Sequence, residues 1–153
     1  MKKNIIIKII ALISIVANVY LISSWIPLLL SSGKFNEYLS DMNKSNIIFS
    51  PATLSVDIVG ILIISLFCIV GSLLMLNQKD IGRKLFLYSF FALPIYNACW
   101  IIVNLLLNRS VSLFFINTIL FSLICLMLYW YFNKPHVKEL FEEKANKINT
   151  ADR

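Results

Sequence analysis

Four long apolar tracts fill most of this chain, at residues 9–30, 56–76, 85–107 and 111–132. A hydrocarbon layer of about 30 Å takes roughly 20 helical residues to cross, so each tract is long enough to span a bilayer. Lipid gives backbone N–H and C=O groups no partners, and a spanning segment closes its own hydrogen bonds as a helix. The expected fold class is all-α: a four-transmembrane-helix bundle forming one integral membrane domain, 1–153, with a short C-terminal amphipathic interfacial helix. Composition supports lipid as the solvent, since 59% of residues are apolar and 14% charged, whereas soluble domains carry about one quarter charged residues. The tracts and their short connections leave no length for a separate soluble domain.

The first tract has a rival reading as a signal peptide, because Lys2, Lys3 and Lys8 precede it. Its apolar run is longer than the roughly 7–15 residues of a cleavable leader, and Ser31-Ser32-Gly33 is its only small-residue stretch. A retained span is expected. Orientation follows from the basic residues. With both termini and the 77–84 turn on the cytoplasmic side, eleven of the 14 lie inside, while Lys34, Lys44 and Arg109 lie outside. Positive charge is retained on the cytoplasmic side of a membrane protein, and the bias survives when the distal Lys144, Lys147 and Arg153 are set aside. Tyr129 to Phe132 form an aromatic band at the inner interface, and Trp25 marks the outer one. The net charge of +6 is thus accounted for by topology, and no basic face interleaved with aromatic residues points to nucleic acid.

Residues 31–55 form the one sizeable exterior segment, rich in Asn and Ser and read as turns, with Phe35, Tyr38 and Leu39 able to cover the bundle mouth. Asp57 is expected in the first turn of the second span, where unpaired backbone donors favour a carboxylate and water is near. Pro27 and Pro94 are expected to kink their helices. In the tail, 133–153, Asn133 is a candidate cap and Pro135 suits a first helical turn. Val137, Leu140, Phe141, Ala145 and Ile148 then recur at helical spacing, with Lys and Glu around them. His136, the single histidine, reads as a surface residue.

The Gly82-Arg83 turn and the ending Tyr131-Phe132-Asn133-Lys134-Pro135-His136-Val137-Lys138-Glu139-Leu140-Phe141 resemble small uncharacterised bacterial four-helix inner-membrane proteins with an aromatic-Pro-Val-Lys-Phe C-terminal pattern. The resemblance implies residence in a bacterial inner membrane and supplies no catalytic residues. His136 stands where those proteins often carry an acidic residue.

Chemistry is sparse within the tracts. Lys8 and Asp57 are the only ionisable residues near lipid depth, and each has an interface within reach. No nucleophile with an activating base, phosphate-cradling glycine loop or haem motif is present, and Cys68, Cys99 and Cys125 are too scattered for a metal knuckle. The expected catalytic, metal and cofactor sets are empty, and the chain reads as no enzyme. Neutral polarity remains. Asn18, Asn97, Asn104 and Asn117 are candidate intramembrane polar contacts, with Asn18 and Asn97 paired near the midplane. Ser65, Cys68 and Ser72, with Thr118, Ser122 and Cys125, form two stripes suited to close helix packing. The leading functional expectation is a non-catalytic accessory or regulatory subunit acting through helix packing, its partners being membrane lipids and either a copy of itself or a larger membrane protein. The alternative is a small transporter or a lipid- or quinone-binding module.

Overall fold

The computed structural model describes residues 2–44, 51–106 and 112–141. Every described element is a helix: α1 (Lys2–Leu30), α2 (Ser32–Lys44), α3 (Pro51–Leu76), α4 (Asp80–Leu106), α5 (Ser112–Phe132) and a last helical segment over 135–141. Four are long and apolar enough to cross a membrane, over Ile5–Leu30, Pro51–Leu76, Asp80–Val103 and Phe115–Phe132. The chain is an all-helical membrane protein.

Three spans begin earlier than expected, the first of them at Ile5 rather than 9. α3 begins at Pro51 rather than 56, because proline suits a first helical turn that needs no donor. α4 begins at Asp80 rather than 85, with Asp80 in the electropositive first turn. The hairpin therefore shrinks to residues 77–79. It is closed by paired C-terminal bonds: Lys79 N–H donates to the Leu74 carbonyl at 3.0 Å and Gln78 N–H to that of Met75 at 2.8 Å. Gln78 holds φ 56°, a left-handed conformation that glycine adopts without a Cβ penalty. Gln78→Gly is expected to stabilise the hairpin by about 1 kcal/mol. An unfolding midpoint in detergent that stays the same or falls would contradict this.

The segment read as turns contains a helix. α2 is amphipathic, and its Phe35, Tyr38 and Leu39 pack against a cluster built on Leu54, Ile58 and Trp100. The spacing of these three residues is helical, and the Asn/Ser content masked it.

The spans pack in the order α1, α3, α4, α5, so that α3 and α4 are central while α1 and α5 are edges. The α3 window is the most buried of the four, with 33% inside the molecule, and the α5 window the least, with 11%. Ile7, Ala11, Ser14 and Asn18 of α1 are buried, a spacing of four and three that forms a narrow seam. Near the hairpin α3 and α4 touch backbone to backbone. A Cβ on Gly71 would sit 2.7 Å from Phe86 N, and one on Gly82 would sit 2.6 Å from Met75 N.

At this end Ile7, Ala11, Met75, Phe86, Leu87, Phe132, Val137 and Phe141 form one core cluster. The segment 135–141 thus turns Val137 and Phe141 into the protein. Asn133 does not cap it: its amide donates back to the Tyr129 carbonyl at 3.0 Å and closes α5. The new helix starts instead from the Lys134 carbonyl, which accepts from Val137 and Lys138 at 2.9 and 3.1 Å, with Pro135 in the first turn. Ala145 and Ile148 lie outside the described residues.

Candidate functional site

A polar group at lipid depth costs several kcal/mol unless it is partnered, so the partners of buried polar groups show where the fold commits its chemistry. Two centres stand out, one at each end of the helices.

The first lies beneath α2. Because α3 starts at Pro51, Asp57 falls beyond the first turn, where backbone donors are already used. The half-buried carboxylate therefore takes donors from α4. The Tyr96 hydroxyl donates to Asp57 Oδ1 at 2.8 Å and approaches the Asp57 carbonyl at 3.2 Å. Trp100 lies within hydrogen-bonding reach of both groups. Gly60, three residues on, leaves the space that the Tyr96 ring fills. Above them Trp25 and Tyr38 meet edge to face at 5.6 Å, and Tyr96 and Trp100 do so at 6.4 Å. Burial first, and the Asp57 charge second, raise the Tyr38 hydroxyl above its ordinary pKa of 10.0. Among the described residues no basic side chain pairs with Asp57. Among the described residues no three His, Cys, Asp or Glu converge there or elsewhere as metal ligands.

The second centre is Arg83, which is only 6% exposed. Its Nε and Nη2 each reach Asp80 Oδ1 at 2.7 Å, and Lys84 holds Asp80 Oδ2 at 2.8 Å. Arg83 Nη1 donates to the Phe132 carbonyl at 3.2 Å, at the electronegative end of α5. The guanidinium also stands 6.0 Å from the Phe141 ring centroid. Nearby, Lys134 Nζ lies 3.4 Å from the Trp130 ring centroid. Arg83 is thus a clamp joining the hairpin, the end of α5 and the tail segment.

No hydrogen bond joins the described amides Asn18, Asn97 and Asn117 to one another. Asn18 is buried, but its amide donates within α1, to the Ser14 carbonyl at 2.8 Å and the Ser14 hydroxyl at 3.3 Å, so the Asn18–Asn97 pair is not formed. Asn97 is half-buried in α4, beside Tyr96, and Asn117 is exposed near the start of α5. Asn104 lies in the α4 backbone, with its side chain outside the described residues. Ser65, Cys68 and Ser72 are buried along α3, and the Ser72 hydroxyl has no hydrogen-bond partner there. On α5, Thr118 and Ser122 are half-buried and Cys125 is buried.

Pro27 and Pro94 both lie inside continuous helices. Beyond Pro27, α1 ends at Leu30, and Ser31 N–H closes the last turn on the Pro27 carbonyl at 3.1 Å. Pro94 cannot donate to the carbonyl four residues back, that of Phe90. That carbonyl instead accepts from the Cys125 thiol of α5 at 3.1 Å. Cys125→Ala should therefore cost about 1 kcal/mol by leaving the carbonyl unpaired, whereas Cys125→Ser keeps a donor. Equal unfolding midpoints for the two variants would count against the bond.

The sequence missed Arg83 and Tyr96. Arg83 reads locally as a topogenic charge, while Tyr96 meets Asp57 across 39 residues. The chain matches no known family, no curated protein and no solved structure.

Proposed function

We infer that the protein is a non-catalytic, multi-pass protein of the bacterial inner membrane, with both termini cytoplasmic, which acts as an accessory or regulatory subunit through lateral helix packing. The observation that carries this reading is the uncovered α5 edge. α5 packs on α4 and leaves Ile116, Leu120, Leu123 and Met127 exposed together with the Asn117 amide. Within a membrane, close packing and interhelical polar bonds drive association, and an amide on an open face adds the directional element. A photo-crosslinker at Leu120 in native membranes should give one reproducible protein adduct, lost on Asn117→Leu. Lipid adducts alone would sink the proposal.

Membership of the small bacterial four-helix group remains part of this reading. Its support is that Arg83 of the Gly82-Arg83 turn reaches both Phe132 and Phe141 of the C-terminal pattern at one end of the fold. This grouping makes the shared pattern a packing device and gives it no catalytic role.

Orientation rests on the charge bias. With native cysteines replaced by serine, a cysteine at Asn43 should react with an impermeant maleimide in intact cells, and one at Lys79 should not. Reversed labelling would invert the topology.

The second reading, a lipid-binding module or transporter, is favoured by two apolar grooves between α3 and α4. One, of about 220 Å³, is lined by residues including Phe67, Tyr88 and Ser89. The other, of about 270 Å³, lies beside Tyr96 and Trp100.

A further inference from the structure

We propose that Asp57 and the aromatic side chains around it form a binding site for the ammonium headgroup of a membrane lipid, whose apolar portion lies in the adjoining groove between α3 and α4. This inference is independent of the accessory-subunit reading, because it concerns the α2 end of the central helix pair and not the α5 edge.

Charge is the first argument. A carboxylate withdrawn from water loses hydration that two neutral donors only partly replace, and an opposite charge restores most of the loss. Asp57 is half-buried and held by Tyr96, yet no basic side chain among the described residues pairs with it. An ionised carboxylate has about four acceptor positions, so the phenol and indole donors leave capacity for a cation.

The surrounding chemistry selects the kind of cation. Calcium takes about six to eight oxygen ligands, and magnesium a near-octahedral set. Asp57 is held instead by Tyr96, which stands edge to face with Trp100, and Trp25 and Tyr38 pack against the same Leu54–Ile58–Trp100 cluster. Aromatic faces attract ammonium ions through the ring quadrupole, and carboxylate with aromatic walls suits an alkylated or primary ammonium. Tyr38 comes from α2 and packs with Trp25 against the Leu54–Ile58–Trp100 cluster, so the amphipathic helix covers this end of the α3–α4 pair.

A lipid is favoured over a free ion by the groove next to this site. Thr53, Val56, Cys99 and Val103 line it together with Tyr96 and Trp100, the same two residues that hold the carboxylate. Its volume of about 270 Å³ admits part of an alkyl chain, and its walls are apolar. One amphiphile can therefore occupy both places, with its charge at Asp57 and its chain between α3 and α4.

The test uses the full chain in neutral maltoside detergent, with Trp130→Phe so that tryptophan emission reports Trp25 and Trp100. Dodecyltrimethylammonium should shift the emission saturably. Asp57→Asn should weaken the apparent affinity at least about tenfold, and Asp57→Glu should recover most of it. Dodecyl sulfate, with the same chain and opposite charge, should give no saturable shift. Parent-like titration of Asp57→Asn, or matching curves for the two amphiphiles, would overturn the proposal. Tetramethylammonium acting at the same concentration as the amphiphile would overturn the lipid assignment and identify a free ammonium ion as the ligand. A second measurement needs no variant at Asp57: the unaltered chain, extracted from vesicles of equal phosphatidylethanolamine and phosphatidylglycerol, should retain the former several-fold more in native mass spectrometry. Equal retention would count against the site.

Discussion

Replacing Arg83 by leucine is expected to release the tail segment and destabilise the fold by about 2–3 kcal/mol. Removing one member of a buried ion pair typically costs about 3–5 kcal/mol, mostly from the charge left behind. Here the partner is not abandoned, because Asp80 keeps Lys84 at 2.8 Å and its side chain is 28% exposed, which places the effect below that range. What remains is the loss of the donor to the Phe132 carbonyl and of the cation beside Phe141. Asp80→Asn should be at least as damaging, since it leaves the guanidinium at 6% exposure without its carboxylate. Arg83→Lys should fall between parent and leucine: a charge remains, but one ammonium cannot reproduce three directed N–H bonds. Trypsin cleavage after Lys138 reports the tail directly, and Arg83→Leu should accelerate it before global unfolding. If cleavage at Lys138 keeps its parental rate in Arg83→Leu, the clamp has been misassigned.

The clamp also marks the limit of what the sequence discloses. The spans were legible because lipid removes alternatives: a tract of this length and apolarity has to be helical. Even so, placing the second span's start at 56 rather than Pro51 moved Asp57 from its true environment to a solvated first turn. The error in one boundary hid the need for Tyr96. Position 83 reads as a cation on a short turn, and nothing local announces a bond to a carbonyl 49 residues away. Asn18 illustrates the reverse case. Its partner, Ser14, lies one helical turn back, a local spacing fully visible in the chain, whereas similar depth alone points to the distant Asn97. At Pro94 the missing donor is a local property of the chain, while capture of the Phe90 carbonyl by Cys125 depends on α5 lying against α4.

Gly82→Leu is expected to have the largest effect of any single substitution at the helix contacts, about 3 kcal/mol or more, with Gly82→Ala costing about 1–3 kcal/mol. The obstacle is backbone and not a movable side chain. A Cβ at 82 would stand 2.6 Å from both Leu74 C and Met75 N, so relief requires α3 and α4 to separate. Separation at that point strains the 77–79 turn and shifts Arg83, one residue on, away from Phe132. Gly71→Ala meets the same kind of barrier from the opposite helix, at Phe86 N and Cα. Because either methyl would already part the helices, the double variant should cost less than the sum of the singles. Gly33→Ala serves as the control: its Cβ meets only Ser31 Oγ at 4.0 Å, and α2 should gain up to about 1 kcal/mol from the higher helix propensity of alanine. These differences are measurable as shifts in unfolding by a denaturing detergent in mixed micelles. Strict additivity of Gly71→Ala and Gly82→Ala would mean that the two glycines relieve independent contacts, and a parent-like Gly82→Leu would mean that the α3–α4 backbone contact does not hold the hairpin together.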